Sequence, residues 1–270
     1  MDISQGIRKV FLIILMTTPF LQGGMLSVNP ATDEEELVLI PADKEKSMGR
    51  SVDEKVNKHF KLPVDPLMQE RIEKIGEKLA AGTDRRDIVY RFRVLKDEKE
   101  DSYNAFAAPG GYVYIFSDLV EVLEDDDKIA GVLAHEMAHI EARHSIKRLQ
   151  GSLGVAALIL LGSQMNTGEG SAAALGPAIG QLMAAYSRQD EEQADELSVK
   201  YMERAGYDPE GTVGSLEKLK ELRKKGKRMK YSFNKSHPYI SERIAYLEKL
   251  IRGQADFDSY INTASKDNML

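Results

Sequence analysis

One short pattern in the sequence could hold a catalytic metal ion. Residues 135–139 read His-Glu-Met-Ala-His, an H-E-x-x-H motif. On an α-helix, positions i and i+4 lie about 40° apart around the axis, so both imidazoles can reach the same ion. Glu136 lies beside them and could act as general base on a water molecule. The motif therefore predicts a metal-dependent hydrolase with His135 and His139 as metal ligands.

Charged residues at both ends predict that this motif lies on a helix. Three acidic residues, Asp125 to Asp127, precede the motif, where they interact favourably with the positive end of a helix dipole. Three basic residues follow it: Arg143, Lys147 and Arg148. His144 comes nine residues after His135 and would lie on the opposite face if the helix continued. We therefore do not expect His144 to bind the metal.

A catalytic zinc ion needs a third protein ligand and one open position. Residues 186–195 read Tyr-Ser-Arg-Gln-Asp-Glu-Glu-Gln-Ala-Asp, so Glu191 and Asp195 are four positions apart on one helix face. Glu191 could bind the metal, and Asp195 could hold a ligand histidine through its other ring nitrogen. The alternative is that these acids form a solvated helix face. The H-E-x-x-H motif elsewhere in the chain favours the ligand interpretation.

The composition restricts the chemistry of the site. The chain has 270 residues, a formal charge of −6 and no cysteine, with 42% hydrophobic and 30% charged residues. Without cysteine the chain can form no disulfide, thiolate metal site or cysteine nucleophile, which leaves histidine and carboxylate as metal ligands. The acidic balance argues against a nucleic-acid-binding protein. The length fits a single large domain.

The first 24 residues have the pattern of a secretory signal peptide. Arg8 and Lys9 precede an apolar run from Val10 to Leu21, which is too short to cross a bilayer as a helix. The alternatives are an uncleaved anchor and a frayed terminal helix. Cleavage would leave residues 25–270 as a single metallopeptidase domain without a transmembrane span, in the periplasm or outside the cell.

From residue 25 the sequence predicts helices, then a small sheet, then more helices. Residues 25–40 are polar and predict a loose lead-in. The predicted elements are helices at 41–60 and 63–81, a strand at 88–95, a hairpin of 103–107 with 112–116, and helices from Ser117 with breaks at 206–209 and 236–238. This order predicts a mainly helical α+β fold with a small antiparallel sheet.

Two stretches rich in glycine and alanine, residues 151–162 and 171–185, allow three interpretations. They could be packed core helices, a mobile lid over the cleft, or a contact with a membrane surface. The longest apolar run among them is too short to span a membrane.

Four motifs together resemble one metallopeptidase family, that of the CAAX prenyl protease, HtpX and the Oma-type proteases. In chain order they are Asn104-Ala-Phe-Ala running into Gly111-Tyr-Val-Tyr, His135 to His139 with the trailing Arg143-His144, Ser187-Arg188 leading to Glu191 and Asp195, and Ser236-His237-Pro238 followed by Arg243. The motifs fall within residues 41–252. The chain is most similar to the soluble periplasmic branch typified by BepA and LoiP.

The resemblance implies a gluzincin-like zinc endopeptidase whose small sheet lies beside the cleft. The implied ligands of a single Zn²⁺ ion are His135, His139 and Glu191. Glu136 would be the general base, and Asp195 would orient a ligand histidine by contacting the ring nitrogen that does not bind zinc. The strand that begins at Asn104 would be a sheet edge that binds extended substrate by β-addition. A plain hairpin strand is the alternative for Asn104.

The resemblance also brings His237 and Arg243 to the site, with roles that stay open. Both could stabilise the oxyanion of the transition state. Alternatively, His237 could fill the fourth zinc position and hold the enzyme latent until its loop moves. A third interpretation is a helix-capping loop with His237 on the surface.

The leading functional prediction is a zinc endopeptidase that degrades unfolded or damaged exported proteins, a role in protein quality control. The alternative is a non-proteolytic or latent zinc-binding chaperone or assembly factor for envelope proteins, with envelope assembly machinery as its partner. A purely structural metal is a third interpretation, which the open three-ligand set disfavours. Glu136 favours the enzyme, because a pure binding protein does not need a base.

Overall fold

The computed structural model of the chain describes five stretches of sequence: residues 25–60, 65–97, 101–151, 185–224 and 236–267. The predicted signal peptide and nearly all of the two glycine- and alanine-rich stretches lie outside these ranges. Within them, no helix is both long and apolar enough to cross a membrane.

The described chain is mainly helical with two small sheets, so the predicted α+β fold class is confirmed. The elements are β1 (Met25–Val28), β2 (Glu35–Val38), α1 (Ala42–His59), α2 (Pro66–Ala80), β3 (Arg91–Leu95), β4 (Ala105–Ala108), β5 (Tyr112–Phe116), α3 (Ser117–Leu123), α4 (Asp126–Glu141), α5 (Arg188–Ala205), α6 (Glu210–Lys224) and α7 (Ile240–Asp267). Residues 144–151 are also helical.

The segment before α1 is ordered, and the prediction of a loose lead-in is wrong. Strands β1 and β2 form an antiparallel hairpin in which Leu26 lies opposite Leu37. The Asn29 side chain donates a hydrogen bond of 3.0 Å to the carbonyl of Glu141, the last residue of α4. The Gln150 side-chain oxygen accepts from two backbone N–H groups just after the hairpin. These long-range contacts order a polar segment whose own pattern predicts nothing regular.

The second sheet has three strands in the order β3-β5-β4. Strands β4 and β5 form the predicted antiparallel hairpin, with Gly110 and Gly111 at positive φ in its turn. Strand β3 pairs with β5 in parallel, so the sheet is mixed rather than wholly antiparallel. The chain leaves β3, crosses to the far edge as β4, and returns between the two as β5. Strand β4 is therefore an edge strand.

Helix α4 carries the H-E-x-x-H motif through the centre of the domain. It begins at the predicted acidic residues, because the Asp125 side chain accepts hydrogen bonds from the N–H groups of Asp127 and Lys128. Every residue from Ile129 to Glu141 is buried. A helix buried on all sides is held by its neighbours rather than by one apolar stripe, so the position of the motif is fixed by packing.

Two glycines bring α4 and α6 unusually close together. A Cβ atom added at Gly131 would lie 2.7 Å from the Thr212 Cα atom. A Cβ atom added at Gly211 would lie 2.3 Å from the Asp127 carbonyl oxygen. Only residues without a side chain allow this approach of one backbone to the other.

Helix α5 begins directly before the predicted acidic ligand. The Ser187 side chain accepts from the Asp190 N–H, and the Asp190 carboxylate accepts from the Ser187 N–H, which makes a complete capping box. The helix ends at Gly206 in the left-handed conformation, at the predicted break. The start of α5 therefore fixes which residues of the segment face α4.

We expect Gly131→Ala to destabilise the fold, because the added methyl group must push α6 away from α4. Overpacking of this kind costs about 1–3 kcal/mol of unfolding free energy. Thermal and denaturant unfolding would measure the change. Gly253→Ala is the matched control, since Gly253 lies in helix α7 with nothing within 4 Å of its added Cβ atom, and there alanine should leave stability unchanged or raise it. Equal stability of both variants would contradict the close packing of α4 on α6.

Candidate metal centre

Four side chains from three parts of the chain converge at one buried point. His135 and His139 come from α4, Glu191 from α5, and His237 from the turn before α7. One ligand atom of each lies within 4.8 Å of the others, and all four residues are buried. The predicted ligands His135, His139 and Glu191 are thus brought together, and the acidic segment is no solvated helix face.

The geometry of these atoms fits a divalent cation. The Nε2 atoms of His135 and His139 lie 3.1 Å apart, and Glu191 oxygens lie 3.4 Å and 3.7 Å from them. Nitrogen and oxygen lone pairs aimed at one dry point repel each other unless a positive charge lies between them. Two imidazoles and one carboxylate are a ligand set used by catalytic zinc sites. Burial, and then the charge of neighbouring histidines, lowers the pKa of His139, which keeps the ring in its neutral, metal-binding form.

Residues 66–251 match the sequence model of Peptidase family M48. The chain belongs to this family. It is 28% identical over 186 residues to the beta-barrel assembly-enhancing protease of Yersinia pestis. This alignment covers 66% of this chain and 38% of that protein. It is 34% identical over 166 residues to the mitochondrial metalloendopeptidase OMA1 of Saccharomyces cerevisiae, covering 60% of this chain and 47% of the other. It is 30% identical over 184 residues to the metalloprotease YcaL of Escherichia coli strain K12, and this alignment covers 67% of this chain and 69% of YcaL. The chain thus matches less than half of the length of the first two.

A carboxylate and an arginine hold the ligands of this M48 domain from outside. The Asp195 Oδ1 atom lies 3.1 Å from His135 Nδ1, the position predicted for it. The Arg243 guanidinium donates to both oxygens of Asp195, at 2.8 Å and 2.6 Å, and lies 2.6 Å from Glu191 Oε2. Its Nη2 atom is also 3.2 Å from His135 Nδ1, but the contact with Asp195 is shorter. We take Asp195 as the partner of His135, because a ring that binds metal through Nε2 carries its hydrogen on Nδ1.

Arg243 also sets the charge state of the two acids. Burial raises the pKa of Glu191, but His237 and Arg243 outweigh it and hold that pKa far below its ordinary value. Burial likewise raises the pKa of Asp195, and Arg243 reverses the shift. Both acids are therefore ionised at neutral pH. These contacts favour a role for Arg243 in holding the ligands over the oxyanion role considered from the sequence.

His237 touches both the ligand set and the predicted base. Its Nδ1 atom lies 3.1 Å from Glu191 and 3.3 Å from His135 Nε2, while its Nε2 atom lies 3.1 Å from Glu136. Only 1% of the residue is exposed, so the surface-loop interpretation is wrong. Burial would lower the pKa of His237, but Glu136 and Glu191 outweigh it and raise that pKa to about 9. In the metal-free site the ring is therefore cationic at neutral pH and bridges the two carboxylates.

Sequence reasoning missed how the chain behaves after α4. The helix ends at Glu141, and Arg143 adopts a positive φ of 57°, so the helix does not continue to His144. The chain turns back, and His144 Nδ1 reaches within 2.8 Å of His139 Nδ1. His144 is not among the four converging residues, as expected, although the reason is the turn rather than the opposite face of a helix.

Tyr186 is a residue of the site that the sequence analysis did not single out. Its ring stacks on the His139 ring, with centroids 3.7 Å apart and planes inclined by 14°. Its hydroxyl shares a hydrogen bond of 2.9 Å with Ser145. Tyr186 lies inside the segment 186–195 quoted above, but nothing in its type or spacing predicts that it stacks on His139.

Asn104 lies directly before the edge strand β4, as the substrate-edge prediction requires, but this edge is covered. Asn104 is 3% exposed, and Ala105 to Ala108 are no more exposed than 7%. Within the stretches that the structure describes, the buried Asn104 Oδ1 atom has no hydrogen-bond partner. A substrate strand can add here only after whatever covers β4 has moved.

We expect Glu191→Gln to lower zinc affinity, because it removes the charge of a converging ligand. The loss should exceed the roughly 10- to 100-fold that is typical when a residue hydrogen-bonded to a metal ligand is removed. Competition with a chromogenic chelator would measure the affinity of the purified protein. Glu192→Gln is the matched control, since it removes the same charge one position away and outside the converging group. Equal affinities of both variants would mean that Glu191 is not a ligand.

Proposed function

We propose that this chain is a zinc-dependent metalloendopeptidase that hydrolyses unfolded or damaged exported proteins. The observation that carries the proposal is the convergence of His135, His139 and Glu191 beside a buried Glu136. Membership of Peptidase family M48 supports the peptidase chemistry, as do relatives whose names call them metalloproteases. The ligand set is typical of zinc.

Glu136 has the surroundings that a general base requires. It is fully buried, and its carboxylate oxygens accept no well-aligned hydrogen bond within the described residues, although His237 lies close. The Glu136 Oε1 atom lies 3.1 Å from the Nε2 atom of His237, one of the four converging residues, which places the carboxylate at the site. A bound zinc ion would polarise the scissile carbonyl and make water more acidic. Glu136 would take the proton of the attacking water and pass it to the leaving amine.

The names of relatives and the pattern of the first 24 residues support a substrate class and a compartment. The relatives from Yersinia pestis and Escherichia coli strain K12 are named beta-barrel assembly-enhancing proteases. That name, together with the secretory pattern of residues 1–24, supports exported proteins as substrates and a periplasmic or secreted location. An extended, unfolded chain is the form that could pair with β4 once this edge is uncovered. Envelope assembly machinery is the partner that we propose on the same grounds.

One observation favours a second candidate, a latent zinc protein that assists assembly without proteolysis. His237 joins the ligand set through Nδ1 and faces Glu136 through Nε2. A ring in this position occupies the space that a substrate carbonyl would need and pairs with the base at the same time. The converging residues are all buried, so the site as described is closed to a polypeptide.

We expect Glu136→Gln to keep zinc and to lose cleavage of casein or an unfolded protein by about 10²- to 10⁴-fold, the usual contribution of general base catalysis. Zinc content and cleavage would be measured with and without a chelator. Glu121→Gln, an exposed acid on α3, is the control and should cleave as the parent does. Zinc bound by the parent protein without cleavage under any condition would reject the peptidase and leave the latent assembly factor.

The substitution His237→Ala separates the two roles of that residue. If His237 stabilises the oxyanion, zinc-loaded protein should lose about 10²- to 10³-fold in kcat, as when one oxyanion donor is removed. If His237 is a latch, cleavage should rise, because both the fourth position and Glu136 become accessible. Unchanged cleavage by a folded variant with full zinc content would reject both roles.

A further inference from the structure

A chain of hydrogen bonds runs from the surface of α5 to the outer edge of a metal ligand. Gln193 Oε1 lies 2.8 Å from His144 Nε2, and His144 Nδ1 lies 2.8 Å from His139 Nδ1. The Asp190 Oδ1 atom also lies 3.7 Å from His144 Nε2. His139 and His144 are 1% and 3% exposed, so water competes little for these contacts.

The groups at the two ends fix the hydrogen positions along this chain. An amide oxygen and a carboxylate oxygen both face His144 Nε2, so this nitrogen carries a hydrogen and donates. At the other end, a His139 ring that binds a metal through Nε2 carries its hydrogen on Nδ1. His144 Nδ1 therefore accepts, and His139 Nδ1 must donate to it. The lone pair of His139 is then on Nε2, the atom that lies 3.1 Å from His135 Nε2 in the converging group.

We propose that His144, backed by Gln193, is a positioning residue that sets the tautomer and the in-plane rotation of the metal ligand His139. The inference rests on the metal site of the proposed function. Tyr186 stacks on the face of the His139 ring and fixes its plane, whereas His144 holds its edge. Together the two contacts leave Nε2 aimed at the metal position before any ion arrives.

The two metal-binding histidines thus have outer partners of different charge. His135 is held by the carboxylate of Asp195, which is itself paired with Arg243. His139 is held by a neutral ring, which adds no negative charge to a site that already buries several carboxylates. A neutral acceptor fixes the tautomer as a carboxylate does, but raises the basicity of the ligand less.

The experiment compares zinc affinity among variants by competition with a chromogenic chelator. His144→Phe keeps a ring but removes the acceptor, and we expect about a 10- to 100-fold loss of affinity. Gln193→Leu removes the backing acceptor and should cause a smaller loss. Gln189→Leu, an exposed glutamine on the same helix, is the control and should not change affinity.

Nitrogen-15 NMR of the metal-free protein provides a readout that is independent of zinc and of cleavage. The parent should show His139 with its hydrogen on Nδ1, and His144→Phe should show the Nε2–H form or a mixture. Parent-like affinity and tautomer in a folded His144→Phe variant would overturn the inference. A loss of affinity in Gln189→Leu equal to that in Gln193→Leu would also overturn it, because the contact with His144 would then play no part. A parent protein that binds no zinc, yet shows the expected tautomer, would reject the proposed function and leave the positioning intact.

Discussion

Three carboxylates, those of Glu136, Glu191 and Asp195, lie fully buried within one small volume. Burying an ionised carboxylate without a compensating charge costs several kcal/mol, so this arrangement decides what else must be present. Arg243 supplies one positive charge and contacts Asp195 and Glu191 directly. In the metal-free site the cationic His237 ring supplies a second positive charge through its contacts with Glu191 and Glu136. A divalent cation bound among neutral histidines would take over that role.

The rest of the domain serves to keep these charges together. Helix α4 lies in the core, closely approached by α6 through Gly131 and Gly211, so the motif cannot slide or rotate. The capping box at Ser187 fixes the first turn of α5, and Glu191 and Asp195 then follow at the spacing of one helix face. Arg243 arrives from α7 and joins the two acids. Each charged group is thus carried on an element whose position is determined independently of the metal.

Much of the centre could be predicted from helical spacing alone. His135 and His139, and likewise Glu191 and Asp195, are pairs at i and i+4, and such pairs face one way wherever the helix lies. The contacts of His144 could not be predicted, because they depend on a left-handed turn at Arg143, a residue type that gives no signal for that conformation. The β1–β2 hairpin and the parallel pairing of β3 with β5 also escaped prediction. The hairpin is held by contacts with Glu141 and Gln150, more than 100 positions away, and β3 pairs with β5 across the intervening β4, so neither follows from a local pattern.

The hydrogen bond from Asn29 to the Glu141 carbonyl joins residues that are 112 positions apart. His237 and Arg243 reach the metal centre from 102 and 108 positions beyond His135. Contacts of such long range form late in folding, because the loop between them must first close. We therefore expect the centre to be assembled only after synthesis has passed Arg243, so that an incomplete chain emerging from the ribosome cannot cleave its neighbours or itself.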